Sequence, residues 1–260
     1  MYTSESVPPA HLRLLGQFRL EYSAEPVPMC LNAQRILAFV GLHKCVSRTV
    51  LAGSLWPDVT EEHARGSLRS TLCKLPRGHA LVSCCKDSIS IADSVSVDAH
   101  ALAETALRIV HASKAWGGGP VPMVLLNGGD LLPGWDEDWV LFERERLRQL
   151  RLHALDALAE NLSREGLHAL ALETALTSVR IDPLRESAHR AVVSAHLAEG
   201  NLNEAVRHYR AFQQLLREEL GVEPSRRFAR MIPPTAVGTM YAVDGPMEWQ
   251  RNDGGVTGSP

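Results

Sequence analysis

Between Thr60 and Arg77 the chain reads T-E-E-H-A-R-G-S-L-R-S-T-L-C-K-L-P-R, with Arg65, Arg69, Lys74 and Arg77 as its cations. Guanidinium forks at this spacing suit one chemistry above others. They can bond guanine edges in pairs, or neutralise phosphates, from a helix laid in the major groove. At 100° per residue Ala64, Leu68, Leu72 and Leu75 share one face. Gly66, Arg69, Ser70, Cys73 and Arg77 point away from it, with Arg65 and Lys74 on the flanks. The ordinary alternative is a solvated amphipathic helix whose cations touch nothing, and the charge pattern taken by itself favours it.

Other chemistries find no constellation. The eleven histidines contain no H-E-x-x-H, and none stands beside a cysteine at ligand spacing. His189 and His196 are seven apart on one expected helix and can share a face, but no third ligand accompanies them. Cys30, Cys45, Cys73, Cys84 and Cys85 make an odd count without C-x-x-C, which reads as free thiols in a reducing cytosol. Neighbouring strand residues point to opposite faces, so the Cys84-Cys85 pair is expected to place a thiol on the inner face. Gly117 to Gly119 lacks the Lys-Ser/Thr of a P-loop, and G-x-S-x-G is absent. No enzyme, cofactor or metal site is expected.

The 260 residues are 45% hydrophobic and 22% charged, which excludes collagen-like, disulfide-scaffold and wholly disordered chains. No apolar run reaches the roughly 18 residues of a membrane span, and Met1 to Ala10 has no leader pattern. A cytoplasmic protein without membrane contact is expected. The net charge of -3 hides a split. Residues 1–100 hold ten basic and nine acidic side chains; Cys30 to Ser90 hold eight and four. A locally basic stretch suits an element that touches phosphate.

The elements that would carry these residues follow from periodicity. Leu12 to Leu20 reads as a short strand kinked at Gly16, with a second strand around Val27 to Cys30 after a polar turn. Gln34 to His43 and Arg48 to Leu55 are amphipathic helical stretches, the latter stopped before Pro57. Thr60 is an N-cap for a helix running to Leu75 and ended by Pro76. His63 stands where a capping box would have Glu or Gln. Ala80 to Ser83 and Ser88 to Ala92 form a hairpin with Lys86 at its tip. A helix, a helix and then a hairpin is the order of a winged helix-turn-helix, and that order moves the balance towards DNA.

From Asp98 onward the grammar is helical: His100 to Ser113, Trp139 to Leu162, Leu167 to Arg180, Arg185 to Glu199 and Leu202 to Leu220. A loop at Trp116 to Pro122 and an irregular stretch at Gly128 to Asp138 interrupt it. Gly166 and Gly200 are 34 residues apart, each followed five positions on by Ala171 or Ala205, which is a degenerate tetratricopeptide period.

On these residues the chain resembles the Streptomyces antibiotic regulatory protein family. L-R-L-L-G-Q-F-R-L (Leu12 to Leu20), L-W-P-D (Leu55 to Asp58) and A-R-G-S-L-R-S-T-L-C-K-L (Ala64 to Leu75) resemble its OmpR-type winged helix. L-L-P-G-W-D-E-D-W-V (Leu131 to Val140), E-R-L-R-Q-L-R-L-H-A-L (Glu145 to Leu155), P-L-R-E-S-A-H-R (Pro183 to Arg190) and E-E-L-G-V-E-P-S (Glu218 to Ser225) resemble its bacterial transcriptional activation domain. Together they span about residues 11 to 232. The resemblance implies a DNA-binding activator of a secondary-metabolite (antibiotic) cluster that binds direct repeats as a pair and contacts RNA polymerase. Carried over by position, Arg65, Arg69, Ser70 and Lys74 contact the major groove, and the Ala80 to Ala92 hairpin the minor groove. The connection from helix to hairpin, Pro76 to His79, is short, and Cys73 stands where many relatives have a large aromatic or basic residue. Neither a nucleotide-binding module nor a phospho-acceptor receiver is read in these residues, so a stand-alone member is expected.

The expectation is a mainly α chain with a small β component. It has a flexible start (1–10), a winged helix-turn-helix (11–97), an all-α tetratricopeptide-like domain (98–232) and a disordered tail (233–260). Its expected partners are double-stranded DNA, met as a homodimer, and RNA polymerase holoenzyme. The DNA-binding set is Arg65, Arg69, Ser70, Lys74, Arg77 and Lys86. The competing reading is a protein-interaction adaptor that uses the helical repeats and has lost productive DNA binding.

Overall fold

A computed structural model describes residues 10–76, 80–111 and 122–233. Arg77, the Gly117 to Gly119 run and the terminal segments 1–9 and 234–260 lie outside the described residues. The chain is mainly α with a small β component, a winged helix-turn-helix followed by stacked helices.

The first apolar stretch is two strands rather than one. β1 (Ala10–Arg13) and β2 (Arg19–Tyr22) pair antiparallel, Leu12 opposite Leu20. Gly16, at φ +85°, belongs to the reversal between them and not to a kink within a strand. β3 (Glu25–Pro26) extends the sheet, and no strand forms at Val27 to Cys30. β7 (Val95–Val97) closes it in the order β3-β2-β1-β7, pairing parallel with β1.

α1 (Leu31–His43), α2 (Arg48–Leu55) and α3 (Glu61–Leu72) follow. β4 (Cys45–Ser47) precedes α2, and β5 (Val82–Cys85) with β6 (Ser88–Ile91) form the hairpin; the second sheet runs β4-β6-β5. Ile36, Phe39, Val40, Leu51, Leu55, Ala64, Leu68 and Ile89 make one buried cluster, so α3 and the hairpin are set by a common core. α3 ends at Leu72, and Cys73 to Leu75 form a turn before Pro76. The inward thiol expected at Cys84-Cys85 is not found, because both are exposed. Cys84 is on the Ile89 side by register, but β5 is an edge strand and leaves it in solvent.

The remaining helices are α4 (Asp98–His111), α5 (Met123–Asn127), α6 (Asp138–Arg164), α7 (His168–Ile181), α8 (Glu186–Ala198), α9 (Leu202–Leu220) and α10 (Arg226–Ala229). Gly166 and Gly200 adopt φ +77° and +78° as helices turn back, and Ala171 and Ala205 are buried where the paired helices touch. The winged helix is welded to this array. Leu12, Leu14, Val97, Leu102, Leu131, Val140 and Leu155 belong to one buried cluster. Leu132 N–H donates to Leu14 O at 2.9 Å and Gly16 N–H to Asp130 O at 2.8 Å. A Cβ on Gly129 would lie 2.9 Å from Gly16 Cα, so this junction excludes a side chain there. Asp98, at the start of α4, accepts from Leu14 N–H (2.8 Å) and Leu15 N–H (3.1 Å). Burial pushes its carboxyl up, against the lowering effect of those bonds.

Two arginines on α6 clamp the connection that makes this junction. Arg144 donates to the carbonyls of Leu131 (2.7 Å), Leu132 (2.5 Å) and Trp135 (2.9 Å). Buried Arg151 donates to Leu125 O (2.7 Å), Leu126 O (3.1 Å) and Gly128 O. The Arg35–Glu137 ion pair at 2.8 Å and the Phe39–Trp139 ring contact at 5.0 Å join α1 to the start of α6.

Candidate nucleic-acid interface

α3 is presented by its caps and its packing. Thr60 Oγ1 accepts from His63 N–H, and the His63 ring bonds back to the same hydroxyl at 2.7 Å. The imidazole thereby occupies the place of the missing capping-box acid, although it meets the side chain rather than the main chain. Glu61 and Glu62 lie in the first turn, where the helix dipole favours them. Ala64 and Leu68 are buried against α1 and α2, which leaves Gly66, Arg69, Ser70, Cys73 and Lys74 outward.

The expected site residues have distinct surroundings. Arg69, Ser70 and Lys74 are exposed, and their side chains have no partner among the described residues. Arg65 is already engaged: its guanidinium lies 2.7 Å from Glu61 Oε1 and donates to Thr49 Oγ1 at 3.0 Å. Lys86 is exposed at the hairpin tip with φ +42°. Arg77 lies outside the described residues.

The hairpin is tied to α2. Arg48 N–H, the first of α2, donates to Asp87 O at 2.7 Å, and Ser47 pairs with Ser88. Ser47 also caps α2, its hydroxyl accepting from Val50 N–H at 3.2 Å. The contacts therefore run from α3 through Arg65 and Thr49 to Arg48, Asp87 and the hairpin tip. Arg48 thus ties the hairpin tip to α2 through its main chain, a contact between residues 39 apart that periodicity does not reveal.

Buried histidines lie elsewhere. His189 Nε2 is 2.9 Å from Pro183 O, and its Nδ1 is 2.9 Å from His208 Nε2. Since the first contact needs N–H on Nε2, His189 accepts the proton of His208. Burial pulls the His189 imidazole down, and brings His208 to about 4, with His189, His196 and Arg207 adding to the effect. The sequence reading paired His189 with His196 and missed His208, which stands on the next helix. Among the described residues no group of three or more His, Cys, Asp and Glu is placed to hold a metal ion.

A winged helix-turn-helix with a capped, outward-facing third helix, welded to a helical-repeat array, is the class of architecture these contacts define. Among solved structures the chain is similar to Mycobacterium tuberculosis EmbR in complex with a low-affinity phosphopeptide. The TM-score is 0.66 at 18% identity, over 86% of this chain and 64% of that one, so this chain spans less than two thirds of that protein's length. At that identity the likeness is one of fold. No curated protein matches the chain. The model of the bacterial transcriptional activator domain matches residues 92–233, more than half of the 260. The chain belongs to the bacterial transcriptional activator domain family, in agreement with the resemblance read from Leu131 to Ser225.

Proposed function

We propose that the chain is a sequence-specific DNA-binding transcriptional activator whose reading element is α3. The observation that carries this is the outer face of α3. Arg69, Ser70 and Lys74 stand there without partners among the described residues, beside a hairpin whose tip is tied to the start of α2. In this reading residues 11–97 bind the duplex, Arg69 and Ser70 meet base edges, and Arg65, Lys74, Arg77 and Lys86 meet phosphates or adjacent bases. Residues 98–232 form the helical domain that meets RNA polymerase and a second copy. The pair occupies direct repeats near promoters of a secondary-metabolite cluster in the cytoplasm. Among the described residues, no helix is long and apolar enough to cross a membrane.

Selection of duplexes from a random pool by the purified chain, at two salt concentrations, tests this. Enrichment of a direct repeat spaced by about one helical turn, weakening as salt rises, is the expected result. Failure to enrich any sequence favours the adaptor reading, in which the helical repeats bind protein and α3 is a solvated helix.

A further inference from the structure

Gly66 stands in the middle of α3, and nothing in the fold asks for a glycine there. Its backbone is not in the left-handed region, and a Cβ built on it meets no atom within 4 Å. The contrast is Gly41 on α1, where a Cβ would come 2.7 Å from Leu12 Cδ2 and packing explains the residue. Gly53 also meets nothing, but it lies near the end of α2, where helix propensity counts for less. Glycine in a helix interior is second only to proline as a helix breaker, so Gly66 works against the helix it occupies.

What the missing side chain leaves is space. An open depression of about 560 Å³ runs along the α1 side of α3, with Gly66, Ser67, Ser70 and Lys74 on one wall and Asn32 of α1 on the other. A helix with side chains is about 10–12 Å across and the major groove about 12 Å wide, so side-chain bulk on the inward face sets how deep the helix sits. Resting on the reading of α3 as the DNA-contacting helix, we infer that Gly66 is a specificity-determining residue. Its bare Cα, at the centre of the exposed face, lets a base-pair edge approach the helix backbone beside Ser70. Helix stability is given up for depth in the groove, whereas binding to unrelated duplex, carried by phosphate contacts, needs no base edge at Gly66.

The variant Gly66→Ala separates the two roles. It should raise the melting temperature by about 2–4 °C, since alanine is the best helix former. It should weaken binding to the selected duplex about tenfold, leaving low-salt binding to unrelated duplex unchanged. A stabilised variant that binds the selected duplex as tightly as the parent overturns the inference. So does a destabilised variant, which would show a structural need for glycine. If the parent chain selects no sequence, the DNA-binding reading fails first, and that result is distinct from either of these.

Discussion

Glu61→Gln probes the one cation on α3 that the fold already holds. Glu61 Oε1 sits 2.7 Å from the Arg65 guanidinium, with side chains 66% and 53% exposed, so solvent screens the pair. Losing the pair and the charge at the helix start costs about 0.6–1.5 kcal/mol together, and the Thr49 hydrogen bond still orients the guanidinium. What changes is the charge offered to DNA. A carboxylate that neutralised Arg65 becomes a neutral amide, and one more phosphate can be engaged. Each such contact releases about 0.9 of a condensed cation and steepens the dependence of log K on log salt by that amount. At about 0.1 M salt this is a gain of roughly eightfold, or about 1.2 kcal/mol. Fluorescence anisotropy titrations of a labelled duplex at four salt concentrations read both slope and affinity. Identical slopes and affinities for parent and variant would refute the placement of Arg65 against phosphate.

Two further expectations concern the helical domain. Arg151→Met keeps the aliphatic stem but strands the carbonyls of Leu125, Leu126 and Gly128, offset in part by relief of a buried charge. The expected loss is about 3 kcal/mol in urea unfolding, and a loss below about 1 kcal/mol would contradict the clamp. His189 and His208 are held neutral by burial, with their affinity for protons lowered in the fold. Below pH 6.5 the unfolded chain takes up protons that the folded chain does not, so stability falls from there towards pH 4. The slope approaches about 1.4 kcal/mol per pH unit for each proton. A His208→Gln variant unfolded across the same range should show a shallower slope, and an unchanged slope would assign the effect to other groups.

Local signals were legible in the residues and long-range ones were not. Thr60 as N-cap, the outward Gly66, Arg69, Ser70 and Cys73, the Lys86-Asp87 tip and α9 over Leu202–Leu220 all follow from neighbours within a few positions. The split of Leu12 to Leu20 into two strands turned on whether Gly16 bends or reverses the chain. That is settled by Asp130, whose carbonyl holds Gly16 from more than a hundred residues away. The parallel pairing of β7 with β1 and the Leu15–Leu131 bridge are of the same kind. The roles of Arg144 and Arg151 were not legible, because nothing in their spacing reveals the carbonyls they reach. Arg65 shows the limit at the candidate site: its position on the flank of α3 was legible, its engagement by Glu61 and Thr49 was not. An i,i+4 acid–base pair on a helix is common, and Thr49 lies on another helix.

The most direct test of the central claim is the affinity of Arg69→Ala for the selected duplex and for every single-base-pair variant of it. Arg69 is exposed on α3, with no side-chain partner among the described residues, so its removal leaves the fold intact. The account predicts a loss of about 1–3 kcal/mol and relaxed discrimination at one base pair. Affinity and selectivity equal to the parent's would take Arg69 off the reading surface and contradict the account.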